Sequence, residues 1–214
     1  MKNILVIGAH FDDAELAAGG SMARWVSEGK KVYKLTLTDN VTKFSHKNID
    51  VDFESSKIAS QKASQILGVE EVTGITISPC SSLNFDKEIM QEIEAFIFQK
   101  KIDTLVMHFM HDIQQDHVSA STLSYVAGRY CKRILTYQSN RYILPSAFYP
   151  RFFVNISDTL NLKKEALSCY SVSHDRFSKL FDATINQNQL MGFSAMMEDD
   201  DSSVESFDII KYVI

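Results

Sequence analysis

"KNILVIGAHFDDAELAAGG", residues 2–20, sets a run of aliphatic and β-branched residues directly before a histidine and two aspartates. The run from Ile4 to Ile7 is continuously apolar, as expected of a short strand covered on both faces. Behind it, Leu16, Met22, Trp25 and Val26 recur at helical spacing, and the pattern stops at Gly29, a fitting residue just past a helix end. A buried strand, a polar loop and a helix form the opening of a βαβ unit.

The same alternation continues downstream. "KKVYKLTLTDN" reads as a second strand, "SKIASQKASQILG" as a helix closed by Gly68, and "EEVTGITI" as a third strand. "DKEIMQEIEAFIFQK" is an amphipathic helix ahead of the strand "DTLVMHF"; a loop, a helix from about Val118 to Tyr130 and the strand "RILTYQS" follow. "PRFFVNISD" reads as another strand and "TLNLKKEALSCYSV" as another helix, with Ser157 or Asp158 as its cap. Such alternation predicts an α/β fold: a mostly parallel sheet with helices on both faces. The acidic "EDDDSSVE", residues 198–205, reads as a solvated loop. No repeat, linker or low-complexity stretch divides the chain, so residues 1–214 are expected to form a single domain.

Composition narrows the function classes. A net charge of −5 opposes a nucleic-acid binder, which needs clustered Lys and Arg, and favours a small-molecule partner. Cys80, Cys131 and Cys169 are widely spaced and include no CxxC pair, which predicts reduced, buried thiols and no thiolate zinc site. The N-terminal apolar run is too short for a signal peptide or a membrane span. A cytoplasmic location is therefore expected, and the sequence leaves room for a homo-oligomer.

Ligands of open parallel sheets bind beyond the carboxyl ends of the strands. Two polar stretches fall at such ends: Gly8 to Glu15, and "HFMHDIQQDH", His108 to His117. A catalytic zinc site takes three His or carboxylate ligands and keeps one position open. His10 and Asp13 suit two of those ligands and His117 the third, leaving Asp12 as a base for water; iron, cobalt and nickel fit such a set too. Each residue also has a structural reading. Asp12 and Glu15 match a capping box, His10 and His108 suit a packed interior, and Asp116 suits either an N-cap or a carboxylate orienting a ligand histidine. "GAHFDD" lacks the GxGxxG glycines of a nucleotide binder and places two negative charges where phosphates would sit.

"AHFDDAELAAGG" resembles the AHPDDxExxxGG signature of the LmbE-like, or PIG-L, de-N-acetylases, and "DIQQDH" resembles that family's second signature. "ASQILGV", "FVNISDTLNLKKEAL" and "ESFDIIK" extend the similarity over most of the chain. The resemblance implies a Rossmann-like three-layer α/β/α sandwich, with Zn2+ held by His10, Asp13 and His117 and Asp12 as general base. It implies hydrolysis of the acetamide of an N-acylated amino sugar or glycoconjugate. Glu15 would anchor the loop or cap the helix. Phe11 replaces the usual proline. Gln114 stands where many members carry a histidine; its amide can donate to an oxyanion but cannot serve as a general acid. His111 is a spatial substitute to check. The family's arginine near the second helix has no counterpart, Lys57 being the nearest cation. These departures motivate an alternative: a catalytically impaired member that binds sugars or serves assembly.

Overall fold

The structure, a computed structural model, describes residues 1–47, 49–140, 142–170, 175–195 and 202–214. The first strand, β1 (Asn3–Gly8), leads into α1 (Asp13–Ser27), β2 (Lys31–Thr36), the small hairpin strands β3 (Thr42–Phe44) and β4 (Ile49–Val51), and α2 (Phe53–Leu67). Then come β5 (Glu70–Glu71), α3 (Lys87–Gln99), β6 (Thr104–His108), α4 (Gln115–Ala127) and β7 (Arg133–Tyr137). β8 (Phe152–Asn155), α5 (Leu160–Ser168), α6 (Asp175–Ser194) and β9 (Val204–Tyr212) complete the order.

The main sheet runs β5-β2-β1-β6-β7-β9-β8. Its strands from β5 to β7 are parallel, and β9 enters antiparallel between β7 and β8. Alternation along β1 explains the three layers: successive side chains point to opposite faces. Ile4 and Val6 join a core with α1, α2 and α5. Leu5 and Ile7 join a second core with Ile89, Ile93 and Ile97 of α3 and Leu123 of α4. From β1 the chain proceeds outward to β2, then crosses back to β6 on the other side of β1. The carboxyl ends of β1 and β6 therefore lie side by side where the strand order reverses, the usual ligand crevice of such sheets.

Local expectations hold where one element's own chemistry decides. Gly29 and Gly68 both adopt the left-handed conformation after their helices. The third strand is shorter than expected: only Glu70 and Glu71 pair with β2, a lone bridge joins Thr38 to Ser78, and Gly74, at φ +82°, turns the chain between them. Neither Ser157 nor Asp158 caps α5. Ser157 Oγ instead donates to Asn155 Oδ1 at 2.7 Å and accepts from the Ser203 N–H at 3.0 Å, and Thr159 takes the cap position. Of that predicted helix, Ser171 and Val172 lie outside the described residues.

The acidic segment corrects a larger expectation. Residues 198–201 lie outside the described residues, but Ser202 to Glu205 are buried rather than solvated. Glu205, fully buried, accepts from the Gly20 and Ser21 N–H groups at 3.0 and 2.7 Å and from Lys163 Nζ at 2.6 Å. Lys163 Nζ also reaches Leu16 O at 2.9 Å. Such closeness needs glycines: a Cβ on Gly19 would lie 3.1 Å from Lys163 Cγ, and one on Gly20 2.7 Å from Ile156 Cβ. The paired glycines of α1, the lysine of "NLKKEAL" and the glutamate of "ESFDIIK" thus form one buried clasp. A buried carboxylate is tolerable only when charge-paired and hydrogen-bonded, which a reading of charge runs alone does not reveal. Among the described residues no helix is long and apolar enough to cross a membrane.

Candidate functional site

The loop after β1 doubles back sharply enough for the His10 N–H to donate to Asp13 Oδ2 at 2.8 Å. Across the crevice, Gln114 caps α4, its Oε1 accepting the His117 N–H at 2.9 Å, which fixes His117 in the first helical turn. The two loops bring three donors together. His10 Nδ1 lies 3.3 Å from Asp13 Oδ2, His117 Nε2 lies 3.3 Å from Asp13 Oδ1, and the two ring nitrogens are 3.3 Å apart. Bonds of about 2.0–2.1 Å to one tetrahedral cation imply donor–donor edges of roughly 3.3–3.4 Å. The edge between the two ring nitrogens matches that requirement, each nitrogen has a different oxygen of Asp13 at the same distance, and the donor chemistry suits zinc and its neighbours.

Each histidine is turned by a carboxylate on its outer nitrogen. His10 Nε2 faces Asp116 Oδ2 at 3.2 Å and His117 Nδ1 faces Asp112 Oδ2 at 3.0 Å. In the neutral rings these contacts place the proton on the outer nitrogen and leave the inner lone pair facing Asp13. Asp116 is itself held by the Ser81 and Leu83 N–H groups at 2.7 and 3.2 Å, so it does not cap α4. Ser139 Oγ donates to Asp13 Oδ1 at 2.9 Å. His108, at the end of β6, accepts the Ala9 N–H at 3.0 Å and stacks on the His117 ring at 4.0 Å.

The electrostatics follow from this crowding. Burial lowers the His117 pKa, but the charge of Asp13 and the bond to Asp112 outweigh it and push it up to about 9. Burial also opposes the charge on His10, and Asp116 and Asp13 nevertheless hold its pKa well above the ordinary range. Burial raises the Asp13 pKa, yet His117 and His108 bring it well below the usual carboxylate value. Burial, then the charge of Asp13, raise Asp12 to about 6. Burial and the charge of His117 lower His108 to about 4.

A cleft of about 390 Å³ opens above this cluster, lined by His10, Asp12, Asp13 and Gln114 among others. Asp12 stands at the N-cap position of α1 but makes no capping bond, and Glu15 forms no capping box. Glu15 is fully buried in an ion pair with Lys34 and accepts from Tyr170 Oη at 2.9 Å, while Tyr170 Oη lies 2.8 Å from Phe11 O. Its place is that of a loop anchor. His111 is exposed against the Phe109 ring, and Lys57 lies over the Phe53 ring; neither lines the cleft. Sequence reasoning missed Asp112 and Ser139 as partners of the cluster. The i,i+5 spacing of Asp112 and His117 across a helix start was the available signal for the first; nothing local marked the second.

The sequence model of the GlcNAc-PI de-N-acetylase (PIG-L) family matches residues 5–127, more than half of the chain. The "Uncharacterized deacetylase YaiS" of Escherichia coli K12 is 28% identical over 162 residues, covering 73% of this chain and 83% of that protein. The N,N'-diacetylchitobiose deacetylase of Pyrococcus horikoshii superposes with a TM-score of 0.79 at 16% identity, covering 98% of this chain and 84% of its own. GalB, the 4-carboxy-2-hydroxymuconate hydratase of Pseudomonas putida KT2440, superposes with a TM-score of 0.81 at 15% identity, covering 100% and 98%. At these identities the structural likenesses concern the fold alone.

Proposed function

The chain belongs to the PIG-L family of de-N-acetylases, and from that premise we propose that it is a zinc-dependent hydrolase of an N-acetylated amino sugar or sugar conjugate, built as one domain over residues 1–214. The observation carrying this reading is a pair of histidine nitrogens 3.3 Å apart, each 3.3 Å from one oxygen of Asp13, beneath a cleft that Asp12 also lines. His10, Asp13 and His117 would hold the cation. When bound, a divalent cation supplies Lewis-acid polarisation of the water and of the acyl carbonyl.

The remaining work falls to side chains. With a pKa near 6, Asp12 is mostly ionised at neutral pH and accepts the proton of the attacking water. The water oxygen adds to the carbonyl carbon, and the Gln114 Nε2–H donates to the developing oxyanion. The C–N bond then breaks. Asp12 passes its proton to the leaving nitrogen, because the Gln114 amide cannot act as an acid near neutrality. The products are a free amine and acetate. Below about pH 6 Asp12 becomes protonated and loses its role as base.

The test is Asp12→Asn assayed for acetate release from a panel of N-acetylated amino sugars and their conjugates. The expected result is a loss of roughly 10²–10⁴ in kcat, the usual range for removing a general base, with metal content unchanged. Undiminished turnover would contradict the assignment of Asp12; a fully metallated wild-type protein inert toward the whole panel would favour the sugar-binding alternative.

A further inference from the structure

Cys80 lies on the wall of the same cleft, on the outer side of His10. Its sulfur is 3.9 Å from Asp116 Oδ2, and that oxygen is 3.2 Å from His10 Nε2. Ligand atoms of His10, Cys80 and Asp116 all lie within 4.8 Å of one another. For bonds of about 2.3 Å to sulfur and 2.0–2.2 Å to nitrogen or oxygen, tetrahedral donor edges are roughly 3.3–3.7 Å. The two separations from Asp116 Oδ2, 3.2 Å to the imidazole and 3.9 Å to the sulfur, are close to those edges, and the third lies within 4.8 Å. We propose that Cys80, Asp116 and the outer nitrogen of His10 form a second cation site, selective for thiophilic divalent ions, with the His10 ring shared between it and the Asp13–His117 cluster.

Three features distinguish this arrangement from a chance grouping of polar residues. The donor set is mixed: one thiol, one imidazole and one carboxylate, a combination that suits soft cations over magnesium or calcium. Asp116 is preorganised, with the Ser81 and Leu83 N–H groups fixing both its oxygens. Cys80 is partly exposed at the cleft, so a cation can reach it, whereas Cys131 is buried and belongs to none of the three His/Cys/Asp/Glu groupings found among the described residues. Binding releases the Cys80 thiol proton and the His10 Nε2 proton to solvent, leaving a thiolate and a ring that faces one cation with each nitrogen. The site stands on its own donors and does not depend on the hydrolase reading.

The experiment titrates zinc-loaded protein with Cd2+, reading the ultraviolet thiolate-to-cadmium charge-transfer band and the cations bound per chain. The expected result is one cation beyond the first, accompanied by the band; both are lost in Cys80→Ser and kept in Cys169→Ser. His117→Ala is expected to lose the first cation and keep the band. A wild-type protein without the band, a band that survives Cys80→Ser, or a total that never exceeds one cation per chain overturns the proposal. If Cys80→Ser abolishes the band while His117→Ala keeps its full metal content, the second site stands and the first assignment fails.

Discussion

Replacing Glu205 by Ala removes the centre of the buried clasp. The Lys163 ammonium would then lose a carboxylate partner while its bonds to Leu16 O and Asn188 Oδ1, both at 2.9 Å, remain, and the Gly20 and Ser21 N–H groups would lose the Glu205 acceptor. Breaking a fully buried ion pair from one side costs about 3–5 kcal/mol, because the surviving charge loses the carboxylate that offset its burial. Against a total stability of about 5–15 kcal/mol for a domain, a loss of about 4 kcal/mol is a large share. For a chain of this size it lowers Tm by roughly 8–16 °C. The double variant Lys163→Met with Glu205→Leu removes both charges. It should recover most of the loss, since apolar replacement of a buried pair is often near neutral. Urea unfolding of wild type, Lys163→Met, Glu205→Leu and the double closes the cycle. A cost below about 1 kcal/mol for Glu205→Ala, or a double variant as unstable as the sum of the singles, would refute the clasp.

Two further outcomes concern the donor cluster. Asp112→Asn keeps the shape facing His117 Nδ1 but removes its charge, and should weaken divalent-cation affinity about 10–100-fold with Tm almost unchanged; a chelator-competition assay giving affinity within twofold of wild type contradicts this. Cation affinity should also rise with pH. Because the adjacent carboxylates outweigh burial and hold His10 well above its ordinary range and His117 near 9 in the cation-free protein, an incoming cation must displace a proton from each ring, so apparent affinity climbs by more than about tenfold per unit between pH 6 and 8. Equal affinities at pH 6 and 8, measured with the same competitor, would contradict that origin.

What the sequence disclosed depended on the range over which the physics acts. β1, α1, α3 and β6 carry their own apolar periodicity, so their places could be read from neighbours in the chain. The site was legible for a topological reason: Gly8 to Glu15 and His108 to His117 both sit at carboxyl ends of parallel strands, and the order reversal between β1 and β6 makes those ends adjacent. The C-terminal third was less readable. Glu205 is charged and follows an acidic run, so local composition argues for solvent, yet Lys163 and α1, both distant in sequence, make its burial favourable. The role of Asp116 was ambiguous for a similar reason: only the placement of residues 81–83 across from α4 decides between capping the helix and steering His10.

The most direct test is elemental analysis of protein purified without added metal, run beside His117→Ala, with circular dichroism to establish that the variant is folded. About one zinc per chain in the wild type, lost in folded His117→Ala, is the predicted result. Wild-type protein free of any divalent transition metal that also fails to take up zinc on dialysis, or a variant that retains the full wild-type complement, would contradict it.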